Sequence, residues 1–256
     1  MPESHNGIAL DIKLYKVLII NSYMDFSKLS QLGLKARWEK KHQPIKTHIK
    51  DSHKNLLKEK ARIIGLVMGD GSLNSIQKSK DKIQHHDITF YPDDLDLAKT
   101  FIKDFQKLYL KKPKIRKKRN YYSLRVSSKP AWEDLRKLGE FNSLNWCFPA
   151  RLSSNMEKRE WMKAMFDCES FVDINKKRIS LQSVSKKGID SIKKLLGEFK
   201  INSKIYQYTR NNPNWNINYI LFISGKENIT KFSELIGFNH KKKQKNLKLI
   251  ASVPER

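Results

Sequence analysis

Residues 63–71 read Ile-Ile-Gly-Leu-Val-Met-Gly-Asp-Gly, an apolar run that ends in an acid and a glycine. Gly65 and Gly69 are one helical turn apart, so they share a face on which a second helix can approach closely. The run is far shorter than the roughly 20 apolar residues of a membrane span. The pattern predicts a helix packed against another helix, with Asp70 at its C-terminal end.

A second stretch with this layout occurs later in the chain. Residues 162–170 read Met-Lys-Ala-Met-Phe-Asp-Cys-Glu-Ser, with small residues at Ala164 and Cys168 and an acid at Glu169. One copy alone is usually only a packing motif and a helix-ending turn. Two copies favour a pair of parallel helices that brings Asp70 and Glu169 together. Because helix C-termini carry partial negative charge, such a pair is a natural site for a divalent cation.

The surrounding sequence repeats as well. Tyr-x-Leu-x-Val-Ser-x-Lys at 122–129 recurs as Tyr-x-Leu-x-Ile-Ser-x-Lys at 219–226, an offset of 97 residues from Tyr122 to Tyr219. The alternation predicts strands, and apolar stripes with helical spacing lie between the strand pairs. The sequence therefore predicts an α+β fold of two pseudo-symmetric αββαββα repeats.

The repeat boundaries define five segments. In repeat 1 we expect the second helix to start near Pro92, since proline suits a first helical turn. The lysine-rich tail is expected to be a mobile arm that binds phosphate. The predicted segments are an N-terminal extension (1–53), repeat 1 (54–144), a linker (145–154), repeat 2 (155–240) and a basic C-terminal tail (241–256).

The charge limits the partners. The 256 residues contain 52 Lys and Arg against 26 Asp and Glu, a net charge of +26 that attracts nucleic acid or an anionic membrane. No basic amphipathic helix with an apolar face supports a membrane role.

Two cysteines cannot form a disulfide framework or a zinc site, and no secretory signal is visible. We expect an intracellular protein, in the cytoplasm, nucleoid or an organelle, that is not secreted.

At the two motifs the sequence resembles the LAGLIDADG homing endonucleases, in their single-chain, two-repeat, intron-encoded form, over about residues 54–240. The resemblance implies a saddle of antiparallel β-sheets over DNA, with the motif helices packed at the repeat interface. In the second motif Ala164, Cys168, Glu169 and Ser170 replace the usual residues but preserve small size or acidity.

The resemblance also implies the site. Asp70 and Glu169 are the expected catalytic residues and bind Mg²⁺, or another divalent cation such as Mn²⁺, together with Gly69 and Cys168. The helix-interface residues are Gly65, Gly69, Ala164 and Cys168. Phe90 and Tyr91 stand where the family often has a glutamine or a basic residue, and neither can supply a lysine's charge. Candidates for the edge of the active site are Gln182, Ser183 and Lys186.

DNA contacts are expected on the outward faces of the strands. A two-stranded ribbon fits the major groove, while Lys and Arg neutralise phosphates. If Ile115, Leu124 and Val126 face the helices, the alternate residues face DNA. Both faces of the strand around Ile220 and Phe222 are apolar, so its orientation stays open. The predicted DNA-binding residues are Arg116, Lys118, Tyr121, Ser123, Arg125, Arg178, Gln182, Lys204, Tyr206, Tyr208, Arg210, Trp215, Asn216 and Asn218.

These features predict a site-specific endonuclease that hydrolyses both strands of DNA as a monomer. Its partner would be double-stranded DNA with a long, roughly pseudo-palindromic target, as in intron homing. The alternative functions on this scaffold are an intron RNA-splicing maturase, with intron RNA as partner, and a non-cleaving DNA-binding regulator. A PD-(D/E)xK nuclease built on Pro92-Asp93 is disfavoured because no Glu-x-Lys follows on a strand.

Overall fold

The computed structural model describes residues 31–37, 57–78, 83–209 and 215–252. The chain divides into two compact units, Met1–Thr47 and His48–Arg256. In the first unit a short helix, α1, covers residues 31–37, and its side chains are exposed. Within the described residues, no helix is long and apolar enough to cross a membrane.

The second unit contains the predicted repeats. The first has the elements α2 (Leu57–Asp70), β1 (Gly71–Lys78), β2 (Ile83–Phe90), α3 (Leu95–Tyr109), β3 (Lys114–Lys117), β4 (Tyr122–Ser127) and α4 (Lys129–Arg136). The second has α5 (Asn155–Glu169), β5 (Ser170–Asp173), β6 (Arg178–Ser183), α6 (Lys186–Glu198), β7 (Lys204–Tyr208), β8 (Asn218–Ser224) and α7 (Lys226–Leu235), and α8 (Lys241–Ser252) follows. The order αββαββα occurs twice, which confirms the predicted fold.

Each repeat forms one antiparallel four-stranded sheet. The strand orders are β1-β2-β4-β3 and β5-β6-β8-β7, so the two sheets have the same topology. In the first sheet Phe90 lies opposite Leu124, and both side chains are fully buried against the helices. Leu181 and Leu221 make the equivalent buried pair in the second sheet. Since side chains alternate along a strand, each sheet presents its other face outward.

Helix α3 begins later than the sequence pattern predicts. Its N-cap is Asp94, whose carboxylate accepts hydrogen bonds from the backbone N–H groups of Asp96 and Leu97, at 2.8 and 3.0 Å. The expected start near Pro92 is therefore wrong. An aspartate at the N-cap satisfies N–H groups that proline cannot, and this places the helix start at Leu95.

The motif helices α2 and α5 pack side by side and form the centre of the unit. Their buried contact is apolar along most of its length, but it also contains an ion cluster. Arg62 on α2 lies 3.0 Å from Glu160 on α5 and 3.1 Å from Asp104 on α3. The cluster links the two repeats through one guanidinium group.

The C-terminal tail is a packed helix over residues 241–252, not the mobile arm that its lysines suggested. Leu247 and Ile250 are buried, and Lys241 forms an ion pair with Asp96 of α3. The spacing of Leu247 and Ile250 places both on one helix face, which packs against the protein.

Candidate active site and nucleic-acid interface

The small residues of the two motifs lie at the helix contact. A Cβ added to Gly65 would lie 2.7 Å from the Cβ of Ala164 and 2.8 Å from the carbonyl oxygen of Trp161. A Cβ added to Gly69 would lie 2.5 Å from that of Cys168. The backbones of α2 and α5 therefore approach too closely for any side chain at these two glycines.

This approach brings the two acids together. Asp70 and Glu169 are the last residues of α2 and α5, and both are half-buried. Burial, and then the negative charge of Asp70, raise the pKa of Glu169 to about 7. Burial also raises the pKa of Asp70, against a hydrogen bond with the Cys168 thiol and the positive charge of Lys243. A cation bound between these carboxylates would relieve both effects.

Lys243, in the lysine-rich C-terminal segment, lies beside this pair. The Lys243 ammonium donates a hydrogen bond to the backbone carbonyl of Asp167 and lies 3.4 Å from those of Phe166 and Cys168. It thus neutralises the partial negative charge at the end of α5. Its charge also lowers the pKa of Asp70 and Glu169.

The spacing could have revealed Lys243. Lys243, Leu247 and Ile250 are separated by four and then three residues, so they share one face of a helix. Because Leu247 and Ile250 would be buried, that face would carry Lys243 toward the protein. The surrounding lysines gave the appearance of a solvated tail and hid this pattern.

The turn before α8 is anchored on Asp167. The buried carboxylate of Asp167 accepts hydrogen bonds from the backbone N–H groups of Asn239, at 2.9 Å, and His240, at 3.0 Å. The imidazole Nε2 of His240 lies 3.3 Å from Asp93, which precedes α3 in repeat 1. The segment that carries Lys243 therefore contacts both repeats next to the acids.

The carboxylate oxygens of Asp70 and Glu169 suit a hard divalent cation, which prefers oxygen ligands. Among the described residues, no three or more His, Cys, Asp and Glu side chains cluster as a metal site. A divalent ion at Asp70 and Glu169 would therefore need backbone carbonyls, such as those of Gly69 and Cys168, and oxygens from outside the protein. Burial raises the pKa of the Cys168 thiol well above its usual value, so its carbonyl is the better ligand.

The candidates at the edge of the site have other partners. Ser183 accepts hydrogen bonds from the indole N–H of Trp146 and the backbone N–H of Ser185, both at 3.1 Å. The exposed Lys186 forms an ion pair with Asp190 at 2.8 Å. Gln182 lies on the outward face of its strand and accepts a hydrogen bond from Asn218 at 3.4 Å.

The outward face of the repeat 1 sheet is polar and basic. The strand register pairs Arg116 with Ser123 and Lys114 with Arg125, so these side chains share the face away from the helices. Arg125 also forms an ion pair with Asp87, whose side chain is only 2% exposed. Lys118 and Tyr121 lie in the turn between β3 and β4. Ile115 is on the inner face, yet it is 42% exposed because β3 is an edge strand.

The outward face of the repeat 2 sheet contains the residues expected there and several more. Register pairs place Lys204, Tyr206, Tyr208, Arg178, Gln182 and Asn218 on this one face. The sequence left the orientation of β8 open. The register and the burial of its residues fix it: Leu221 and Ile223 are buried, and Ile220 and Phe222 point outward. Trp215 and Asn216 are exposed just before β8, and Arg210 lies outside the described residues.

Parts of this chain are similar in sequence to known proteins. Residues 156–237 match the family model described as a LAGLIDADG-like domain. Among curated proteins, the chain is 27% identical over 194 residues to the "Probable translation initiation factor IF-2" of Methanocaldococcus jannaschii. It is 30% identical over 202 residues to a replication factor C small subunit of Thermococcus kodakarensis. These matches cover 73% and 74% of this chain, which spans only 15% and 21% of the two relatives.

Solved structures match over most of the chain. The homing endonuclease I-DmoI, in a crystal structure with DNA and Mn, has a TM-score of 0.58 and 23% identity. That match covers 71% of this chain and 97% of I-DmoI. Full-length DUF199/WhiA from Thermatoga maritima has a TM-score of 0.50 and 14% identity, covering 79% of this chain and 63% of its own. At these identities the likeness establishes the fold.

Proposed function

Residues 156–237 match a LAGLIDADG-like domain and the two-repeat fold matches that of I-DmoI, and from that premise we propose that this chain is a LAGLIDADG-type, divalent-metal-dependent DNA endonuclease. It would cut both strands of a specific site while acting as a monomer, since one chain supplies both acids. The observation that carries the proposal is the convergence of Asp70 and Glu169 at the ends of two helices in backbone contact.

Each residue of the site has a part in the proposed reaction. Asp70 and Glu169 would hold Mg²⁺ or Mn²⁺, which supplies positive charge to the attacking and leaving oxygens of phosphodiester hydrolysis. Lys243 fixes the end of α5, and so the backbone that carries Glu169. The glycines of α2 set the separation of the two carboxylates. Crystals of I-DmoI with DNA and either Mn or Ca support the use of a divalent cation.

The outward sheet faces would hold the duplex. Arg116 and Arg125 in repeat 1 and Lys204 in repeat 2 lie on these faces, where they can reach phosphates or base edges in the major groove. The net charge of +26 would give strong attraction to DNA and a steep dependence of affinity on salt.

The pair of acids favours cleavage over binding alone. A protein that only binds DNA gains nothing from two half-buried carboxylates, because they repel phosphate and cost free energy to desolvate. A regulator or a splicing maturase on this scaffold would tolerate their replacement by amides. The acids therefore support cleavage over the other candidate functions.

The decisive experiment is cleavage by Asp70→Asn and Glu169→Gln. A target is first selected by cleavage of a randomised duplex library with the full chain and Mg²⁺. Each variant should bind the target but cut it about a hundredfold more slowly or worse. Glu234→Gln, at an exposed acid in α7, is the matched control and should cut normally. Full double-strand cutting by either acid variant would contradict the proposal.

A further inference from the structure

The two outward sheet faces occupy equivalent places but differ in chemistry. The offset that aligns Tyr122 with Tyr219 places Ile220 at the position of Ser123 and Phe222 at that of Arg125. Aligning Lys114 with Lys204 in the same way places Tyr206 at the position of Arg116. Three positions that hydrogen-bond in repeat 1 are thus apolar or aromatic in repeat 2, among the polar side chains of Arg178, Gln182 and Lys204.

The paired strands extend this contrast across the sheets. In repeat 1 Ser72 lies opposite Thr89, whereas in repeat 2 Phe171 lies opposite Ser180. Phe171 is 43% exposed, and Tyr206 and Tyr208 are 53% and 54% exposed. Large apolar groups are therefore available to a ligand on the repeat 2 face.

Arg178 lies on this face and contacts other side chains of the protein. The Arg178 guanidinium lies 4.1 Å from the centre of the Phe222 ring and 3.8 Å from the Asp173 carboxylate. Tyr206 meets Phe222 edge to face, with ring centres 5.4 Å apart. The face of Phe222 is covered and its position is fixed, so it offers a rigid apolar surface and not an open platform for stacking a base.

We propose that the outward face of repeat 2 recognises its half of the DNA site through the C5-methyl groups of thymines. In the major groove only thymine presents a methyl group, and apolar side chains contact it. The repeat 1 face, with Arg116, Arg125 and Asn74, has instead the donors and acceptors that read guanine and adenine. The inference rests on the proposed binding of duplex DNA and adds an asymmetry between the two half-sites.

Duplex DNA fits this face better than other occupants do. Single-stranded nucleic acid binds by stacking on exposed ring faces. Arg178 covers one face of the Phe222 ring, which leaves the exposed rings of Tyr206 and Tyr208 for such stacking, and the experiment below tests that alternative. Lys204 lies beside Phe222 in the same row, so a phosphate-bearing ligand finds a cation next to the apolar groups. The face is also the counterpart of the basic face of repeat 1, and two such faces can grip one continuous duplex.

The test replaces thymine by uracil, which removes only the methyl group. Affinity of the full chain for its selected target is measured in Ca²⁺, with every dT of one half-site changed to dU. Each lost methyl contact should weaken binding about fourfold. We expect about a tenfold or greater loss in one half-site and less than about a twofold loss in the other.

Two variants assign the sensitive half-site. In Tyr206→Ser, at an exposed position, the loss caused by dU should shrink by at least about fourfold. In Ser123→Ala, the matched change in repeat 1, the loss of affinity caused by dU should be the same as in the wild type. Circular dichroism confirms that both variants fold.

Three results overturn the inference. The first is equal sensitivity of both half-sites to dU, and the second is a dU effect that persists unchanged in Tyr206→Ser. The third is a result in which single-stranded RNA displaces the duplex from the wild-type protein but not from the Tyr206→Ser variant. The outward face of repeat 2 would then bind single strands. A wild-type chain that binds no duplex contradicts the proposed function itself, which distinguishes the two failures.

Discussion

Gly69 of α2 and Cys168 of α5 are in such close contact that a Cβ on Gly69 would lie 2.5 Å from the Cβ of Cys168. The next residues along the two helices are Asp70 and Glu169. The separation of the acids is therefore set by the backbone contact one residue earlier, and a change at this contact should affect the fold and the site together.

We predict that Gly69→Ala separates the ends of the two helices. The added methyl group meets a rigid Cβ, so the variant should lose about 1 to 3 kcal/mol of unfolding free energy and cut DNA more slowly. Gly197→Ala is the control, because this glycine of α6 has no atom within 4 Å of the added Cβ. The control should be neutral or stabilised by up to about 1 kcal/mol. Urea denaturation gives both values, and equal stability and cutting rates of the two variants would contradict the prediction.

Lys243 should matter for cutting and little for DNA affinity. Lys243→Met removes the hydrogen bonds at the end of α5 and should slow cutting by about tenfold or more. Lys243→Arg keeps the charge and should recover part of the rate. Lys245→Met, at an exposed lysine of the same helix, is the control. Single-turnover rates and binding constants are measured for each variant, and equal rates for Lys243→Met and Lys245→Met would contradict a role for Lys243.

The ion cluster between the repeats should make stability depend on pH. Burial, against the attraction of Arg62, raises the pKa of Asp104 to about 6. Because the folded state then binds this proton more tightly than the unfolded state, the contribution of Asp104 to stability falls as pH rises from about 4 to about 6. The change amounts to at most about 3 kcal/mol.

The variant Asp104→Asn tests this linkage. It lacks the ionisable group, so its stability relative to the wild type should increase over the same pH range. Urea denaturation at several pH values measures the difference. If the difference in unfolding free energy between the two proteins is constant across this range, Asp104 has the same pKa in the folded and the unfolded state.

The sequence predicted the features that depend on local pattern. Alternation and helical spacing gave the order of elements and the inward residues Leu124 and Val126, and the paired motifs gave the helix contact. Features that depend on distant packing were missed. The spacing of Lys243 with Leu247 and Ile250 places it on the buried face of its helix, but it does not show that this face meets the end of α5. Ile220 and Phe222 have apolar neighbours on both sides. Only the pairing of β8 with β6 and β7 fixes which of these residues face outward.

The Arg125–Asp87 pair gives a last prediction, about how repeat 1 reads DNA. Asp87 is buried, and although burial alone would raise its pKa, hydrogen bonds from Arg125 and Ser127 hold that pKa below its usual value. The charged carboxylate therefore fixes the Arg125 guanidinium on the sheet face, where the side chain is still 55% exposed. A guanidinium held in this way suits bidentate recognition of a guanine.

Arg125→Ala should thus relax specificity at one base pair, by about 1 to 3 kcal/mol. Lys112→Ala, at an exposed lysine near the same face, should weaken binding evenly across sequences and reduce the dependence on salt. Binding of each variant to a panel of single-base changes in the target, at two salt concentrations, separates these effects. If Arg125→Ala lowers affinity equally for every sequence in the panel, Arg125 contacts the phosphate backbone and does not read a base.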